Sequence, residues 1–556
     1  MISPADHSRP EWQSAARTLL RGGRVYSPSD PFATALLIDD GIITWVGDDA
    51  GANVHAELAD LTIDLGGALV TPGFVDAHVH ATATGIMLTG LNLADCTSAA
   101  DVLARVDQVA RETRGRAIIG HGWDETNWDD TRLPTRQELD KAAWGGVVYL
   151  SRVDVHSALV SSALVTMNRL AETLSGWDSV GAVSRDSHGA LRITALGSID
   201  RVTRRTAQET FRAHCATHGI VAVHEMGGPT ISSSNDLTDL LVLAQNSRGP
   251  LVTGYWGELA QSGGIEAARD MGAWAVGGDL FIDGAVGSRT ACLHSPYTDQ
   301  PDTSGADYMS SKDVAQHVQL AIEAGMQAGF HVIGDRGSSL IMQGIADVVE
   351  HLGVARVREA GHRLEHAEMM SDADIHLLAA IGGTASVQPV FDALWAGGGG
   401  MYEARLGADR AAQMNRFAGM SKAGVLVAFG SDAPVTEVSP WQAIRAAAWH
   451  HTVDQRMSVR AAFAAHSRAG WRAVGLPHIG TIDPGAPAHL AIWETGELDV
   501  QSPDPRLSAW STDPRSGTPE LPVIEQTGEL PRCLATLVHG TPIFSSGALD
   551  IAADLV

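Results

Sequence analysis

The chain has 556 residues, 44% hydrophobic and 19% charged, an ordinary globular composition and more length than one compact domain needs. A formal net charge of −26 argues against nucleic acid or an anionic membrane surface as partner. Cys96, Cys215, Cys292 and Cys533 make neither a Cys-x-x-Cys pair nor a disulfide framework.

Met1 to Pro10 lacks the basic start and apolar core of a signal peptide. No apolar run reaches the roughly eighteen residues of a membrane span, so a cytoplasmic protein is expected. From about Leu19 to Val70 the chain reads as short strands parted by Gly and Asp, among them Arg24 to Tyr26, Ala35 to Ile38 and Gly41 to Gly47. The carboxyl end echoes this in Ala488 to Trp493 and Leu534 to Gly540. One small β-sandwich built from both termini, residues 1–70 and 475–556, is the expectation.

Between them, buried-looking strands alternate with amphipathic helices. The candidate strands are Phe74 to His80, Ile220 to Glu225, Val252 to Glu258, Leu280 to Asp283, Phe330 to Asp335, Arg363 to His366, Thr384 to Gln388 and Val425 to Asp432. Val314 to Ala328 and Asp372 to Ala380 read as intervening helices. Eight such units predict an α/β fold, a (β/α)8 TIM barrel over 71–474, with its chemistry at the carboxyl ends of the strands. The gap of about 81–218 after the first strand is too long for a loop. Val102 to Val109 and Ser157 to Leu174 look helical there, so an inserted subdomain over the barrel mouth is expected.

The first barrel strand ends in His78 and His80, spaced i and i+2, so both imidazoles face one side. Two neutral imidazoles suit a borderline divalent ion such as zinc. A lone His-x-His also arises by chance on surface strands. Here, though, His331, His366 and Asp432 stand at further strand ends, and Asp279 and Asp283 flank Leu280 to Ile282. A barrel would focus all of them on its axis.

With these motifs in place, the chain resembles the metal-dependent amidohydrolase superfamily, and more closely amidohydrolase family 3, the group that includes N-substituted formamide deformylases. The matching runs are Thr71 to His80, Asp283 to Ala291, His331 to Arg336, Arg363 to His366, Gln388-Pro389, Phe429 to Pro434 and Gly480 to Gly485. The resemblance implies that His78 and His80 bind a more buried metal, that His331 and His366 bind a more exposed one, and that Asp432 touches metal and acts as the catalytic acid and base. Relatives usually carry a carboxylated lysine that bridges two metals. This chain has Asp279 there, and Lys141, Lys312 and Lys422 lie on no predicted strand end. One tightly bound ion, or two bridged by Asp279, is therefore expected. Zinc leads, with manganese, iron and cobalt compatible with the ligand types.

The family-like segments His121 to Trp128 and Asp154 to His156 imply substrate contacts at Trp123, Asp124 and His156. Asp283 and Arg289, with Asp335, are expected to brace the site or bind substrate. The expected activity is hydrolysis of a non-peptide C–N bond (amide, N-formyl or cyclic amide) in a small-molecule substrate, with a homo-oligomer left open. The alternatives are an ester or lactone hydrolase on the same site and a non-catalytic barrel scaffold, which only the missing lysine favours.

Overall fold

Apolar runs that end in polar side chains set eight parallel strands in the computed structural model, which describes residues 16–113, 117–500 and 518–551. In chain order they are β1 (Phe74–Val79), β2 (Ile220–Gly227), β3 (Leu251–Trp256), β4 (Ala275–Val276), β5 (Gln327–Val332), β6 (Arg363–His366), β7 (Thr384–Val387) and β8 (Leu426–Phe429). Each strand pairs with its sequence neighbour, β1 next to β2 and so on to β8. The Asp432 N–H donates to the His78 carbonyl at 2.8 Å and the His80 N–H to the Ala433 carbonyl at 2.9 Å, which draws the end of β8 to β1. The result is a (β/α)8 barrel.

Strand four differs from expectation. Leu280–Asp283 is a loop that keeps one bridge, Phe281 to His331, while β4 lies earlier and is only two residues long. Gly277 and Gly278 take φ of +127° and +82° and stop the strand. A Cβ on Gly277 would stand 2.3 Å from the Gly329 backbone, so only glycine lets the chain pass β5 here. The helix expected over Val314 to Ala328 runs Ser311–Ala324. A Ser310/Asp313 capping box starts it, and Gly325 at φ +68° ends it and frees Gln327 to begin β5.

The two ends of the chain form two sheets. One orders Ile42–Gly47, Ala35–Asp39, Thr18–Arg21 and Leu61–Asp64; the other orders Arg24–Val25, Leu69–Pro72, Leu490–Glu494, Arg532–Val538 and Thr541–Ser545. Leu20, Leu36, Ile63, Leu490, Ile492 and Leu537 share the core between them. Trp493 ties this sandwich to the barrel: its Nε1 donates to Thr71 Oγ1 at 2.9 Å and its ring meets Phe74 edge-on at 5.5 Å. A fully buried ring of this size contributes about 3 kcal/mol. The amino-terminal stretch 1–15, where a signal was sought, and the parts 501–517 and 552–556 of the expected sandwich segment lie outside the described residues.

The insertion, expected to be partly helical, is an α/β layer. Its five strands order Val183–Ser184, Ser157–Val160, Val148–Arg152, Ile118–Trp123 and Leu91–Asn92. The start of the helix expected over Ser157 to Leu174 is thus a strand, turned back on its neighbour with Val155 at φ +59°. The helix begins only after the Ser161 cap. Leu150 packs on one face of this sheet with Val102 and Val106, and Tyr149 on the other with Leu164 and Leu191. Among the described residues no helix is long and apolar enough to cross a membrane.

Candidate metal centre and its cavity

Strand geometry brings the donors together. His78 and His80 alternate to the same side at the end of β1, and His331 and His366 come from β5 and β6. Asp279 follows the two-glycine break after β4, and Asp432 follows β8. His366 and Asp432 take φ of +67° and +54°, a region that non-glycine residues enter rarely and mostly at functional sites. At His366 this breaks the strand alternation, so the adjacent Glu365 and His366 both turn inward.

Asp279 stands between two histidine pairs. Its Oδ2 lies 3.4 Å from His78 Nε2 and 3.3 Å from His80 Nε2, and its Oδ1 lies 3.5 Å from His331 Nδ1 and 3.8 Å from His366 Nε2. Asp432 Oδ1 lies 3.4 Å from His78 Nε2 and 3.3 Å from His80 Nε2. These contacts are longer than good hydrogen bonds. All but the 3.8 Å contact to His366 match the roughly 3.3–3.6 Å between two ligand atoms that each lie about 2.0–2.2 Å from a tetrahedral ion. His78 Nε2, Asp279 Oδ1 and His331 Nδ1 are buried and lack hydrogen-bond partners, as lone pairs facing a shared cation would be. The donors therefore fit a divalent metal.

Burial works against charge on every imidazole here. At His78 and His80 the two carboxylates outweigh it, and His80 is pushed up to about 9. His331 is held down to about 4 by burial and by the His366 charge. Burial also opposes ionisation of Asp279 and Asp432, but the surrounding imidazoles keep both well below the usual carboxylate range. Two ionised carboxylates in so dry a place call for positive charge.

A second set of side chains aims the ligands. His78 Nδ1 donates to Glu365 Oε2 at 2.9 Å, His80 Nδ1 to the Met226 carbonyl at 3.1 Å, and His366 Nδ1 to Gln388 Oε1 at 2.8 Å, which turns each Nε2 toward the centre. Arg363 clamps Glu365 in turn, with Nε 2.6 Å from Oε1. Glu365, Gln388 and Arg363 lie in runs already legible in the sequence, yet nothing there marks them as supports. Only the departure from alternation at His366 reveals Glu365.

A cavity of about 790 Å³ opens over the centre, lined by His80, Asp279, His331, His366 and Asp432 together with His156 and residues of the insertion. The His156 ring lies 5.4 Å from that of His331. Asp124 lines a smaller adjoining pocket and pairs with Arg152 at 2.8 Å. The other expected contacts lie elsewhere. Trp123 is buried in the insertion core and donates from Nε1 to the Leu150 carbonyl at 2.8 Å. Asp283 is fully buried, accepts the Cys292, Ile333 and Gly334 N–H groups at 2.7–3.0 Å and is pushed up to about 7 by burial, so it braces the loop instead of facing substrate. Arg289 pairs with Asp299 at 2.6 Å, and Asp335 accepts the His294 N–H at 2.9 Å.

Comparison with known proteins bears on the family and the fold. The model of the Amidohydrolase family matches residues 61–544. Protein LONG AFTER FAR-RED 3 of Arabidopsis thaliana is 27% identical over 537 residues, 89% of this chain and 90% of its own. An N-substituted formamide deformylase of Arthrobacter pascens is 23% identical over 463 residues, 74% of this chain and 80% of its own. The crystal structure of an uncharacterized metal-dependent hydrolase from Pyrococcus furiosus superposes with a TM-score of 0.67 at 26% identity, covering 86% of this chain and 98% of the other.

Proposed function

Since the chain belongs to the amidohydrolase family, as a metal-dependent hydrolase of its family 3, we propose that it cleaves a non-peptide C–N bond in a small molecule, an amide, N-formyl or cyclic amide group. The observation that carries this is the division of Asp279 between two histidine pairs beneath an open cavity, with Asp432 on the His78 and His80 side. His78, His80, Asp432 and Asp279 would hold one ion, and His331, His366 and Asp279 would hold a second, with zinc the first choice. A bound ion of this kind polarises a carbonyl and brings the pKa of water near neutrality.

The chain's own residues supply the rest. Asp432 lines the cavity with a carboxylate, which can accept the proton of an attacking water and return it to the leaving nitrogen. Glu365, Met226 and Gln388 hold the imidazoles in place without reorganisation during the reaction. His156 and the insertion narrow the approach and exclude water. The deformylase relative supports an N-formyl substrate. In this reading 71–474 is the catalytic barrel and 1–70 with 475–556 the supporting sandwich. The enzyme works in the cytoplasm, where its four buried, unpaired thiols stay reduced.

The test is plasma mass spectrometry of the protein purified without added metal or chelator, then turnover of matched N-formyl amines, N-acetyl amines and esters. Two equivalents of transition metal with amide turnover support the reading. Ester turnover without amide turnover replaces it with ester or lactone hydrolysis, and a chain that takes up no metal on reconstitution is a scaffold.

A further inference from the structure

Six arginines are buried among the described residues, and five of them have partners. Arg152 pairs with Asp124, Glu125 and Asp154, Arg363 with Glu365, and Arg405 with Asp299. Arg136 donates to the Asp178 and Ser179 carbonyls, and Arg212 to those of Ser247 and Pro250. Arg192 is only 7% exposed, yet it has no hydrogen bond and no ion pair among the described residues. A buried guanidinium keeps its proton, so an unpaired one is a standing expense that folded proteins avoid unless something completes it.

Arg192 is placed to be completed from the cavity. It lies on the insertion helix Arg185–Gly197 and lines the same 790 Å³ space as His80, Asp279 and Asp432. Arg185, two helical turns earlier and so on the same face, also lines it and has no carboxylate partner among the described residues. The wall's acidic groups have other partners: Asp154 pairs with Arg152 and Asp307 with Arg336, Glu258 accepts the Trp256 Nε1–H, and Asp186 accepts the Ser175 hydroxyl at 2.8 Å. His188, between the two arginines, is hydrogen-bonded to the Tyr149 hydroxyl at 2.8 Å. Burial, then the Arg192 charge, pushes His188 down to about 3, so it adds no charge of its own. Arg192 therefore presents to the cavity a guanidinium with no carboxylate of its own, while the floor holds the hydrolytic groups.

We propose that the substrate carries a free carboxylate seated on the Arg192 guanidinium, with Arg185 at its outer edge, while the scissile C–N bond lies beside Asp432. The planar fork of one guanidinium matches the two oxygens of a carboxylate. The substrate class is then an N-formyl, N-acyl or cyclic amide of an amino acid, not of a plain amine. This assignment rests on the hydrolase reading of the same site.

The experiment compares N-formylphenylalanine with N-formylphenethylamine, and their N-acetyl counterparts, on the zinc-reconstituted enzyme, both enantiomers of each acid included. The acid of each pair is expected to be favoured about 10–100-fold in kcat/KM, mainly through KM. R192Q is expected to erase most of that ratio, and R192K to restore part of it. Calorimetric titration of D432N with the same compounds reads the preference without turnover. Equal binding of acid and amine, or an equal loss of both in R192Q, overturns the proposal. Carboxylate-selective binding with no amide turnover leaves the Arg192 assignment standing and overturns the C–N reading instead. Should R192Q fail to fold, the acid-to-amine ratio of the wild type decides.

Discussion

Glu365 Oε2 lies 2.9 Å from His78 Nδ1, and neither side chain has any exposed surface. The carboxylate is held from its other side by Arg363, through Nε at 2.6 Å and Nη2 at 3.0 Å. The charge of Glu365 therefore does two things: it makes the imidazole a stronger ligand, and it neutralises a buried guanidinium. Glu365→Gln keeps the shape and an acceptor but removes the charge. Metal affinity is expected to fall about 10–100-fold. Stability is expected to fall by about 3 kcal/mol, because Arg363 stays buried without its counter-ion. Competition against a chromophoric chelator and urea unfolding measure the two effects, and an unchanged affinity would show that the Glu365 charge does not orient His78.

Asp432 separates chemistry from binding. His78, His80 and Asp279 remain as ligands when Asp432 becomes Asn, so metal content should hold while the proton carrier is lost. kcat is expected to drop by about 10²–10⁴ with little change in the unfolding midpoint. Turnover within tenfold of wild type, at matched metal content, would remove Asp432 from the proton path.

Much of this centre was legible in the sequence because strand ends of a barrel converge: His80, His366 and Asp432 each close a predicted strand, His78 stands two residues before such an end, and His331 lies in the predicted strand Phe330 to Asp335. Asp279 was found by its neighbourhood, although its strand was not. β4 shrinks to Ala275–Val276 because Gly277 must pass within 2.3 Å of the Gly329 backbone, a tertiary constraint that no local pattern encodes. Glu365 escaped for a related reason: period-two reasoning puts it opposite His366, and the φ of +67° at His366 cancels that rule. Trp123 misled in the other direction. It sits among polar residues in sequence, yet its ring fills the core of the insertion.

Asp279 takes the place where relatives are expected to carry a bridging lysine, and each of its oxygens faces a different histidine pair. A two-oxygen bridge predicts a stoichiometric effect rather than a graded one. Asp279→Ala should reduce metal from two equivalents per chain to one at most, retained at His78, His80 and Asp432. His331→Ala should lose only the second. Plasma mass spectrometry after gel filtration gives both counts. Two equivalents in the Asp279→Ala protein would mean that the ions are held without a carboxylate bridge.

Part of the acid sensitivity arises from buried imidazoles that are not among the metal-ligand set. Burial pushes His317 and His362 down to about 4, and His188 to about 3, while the unfolded chain takes up protons on the same residues near pH 6.5. Between about pH 6.5 and 4 the unfolded state thus binds more protons, so stability rises with pH across that window and is lost as pH falls through it. Each such imidazole contributes up to about 1.4 kcal/mol per pH unit to the slope. His317 is the cleanest test, since its Nδ1 accepts the Ala260 N–H at 2.9 Å, far from the metal ligands in its bonding. In His317→Gln an acceptor remains but the titration is gone. Urea midpoints taken from pH 5 to 6.5 should then fall less steeply with acid than in the wild type, by about one imidazole's share. Identical slopes would mean that His317 is already protonated in the folded chain.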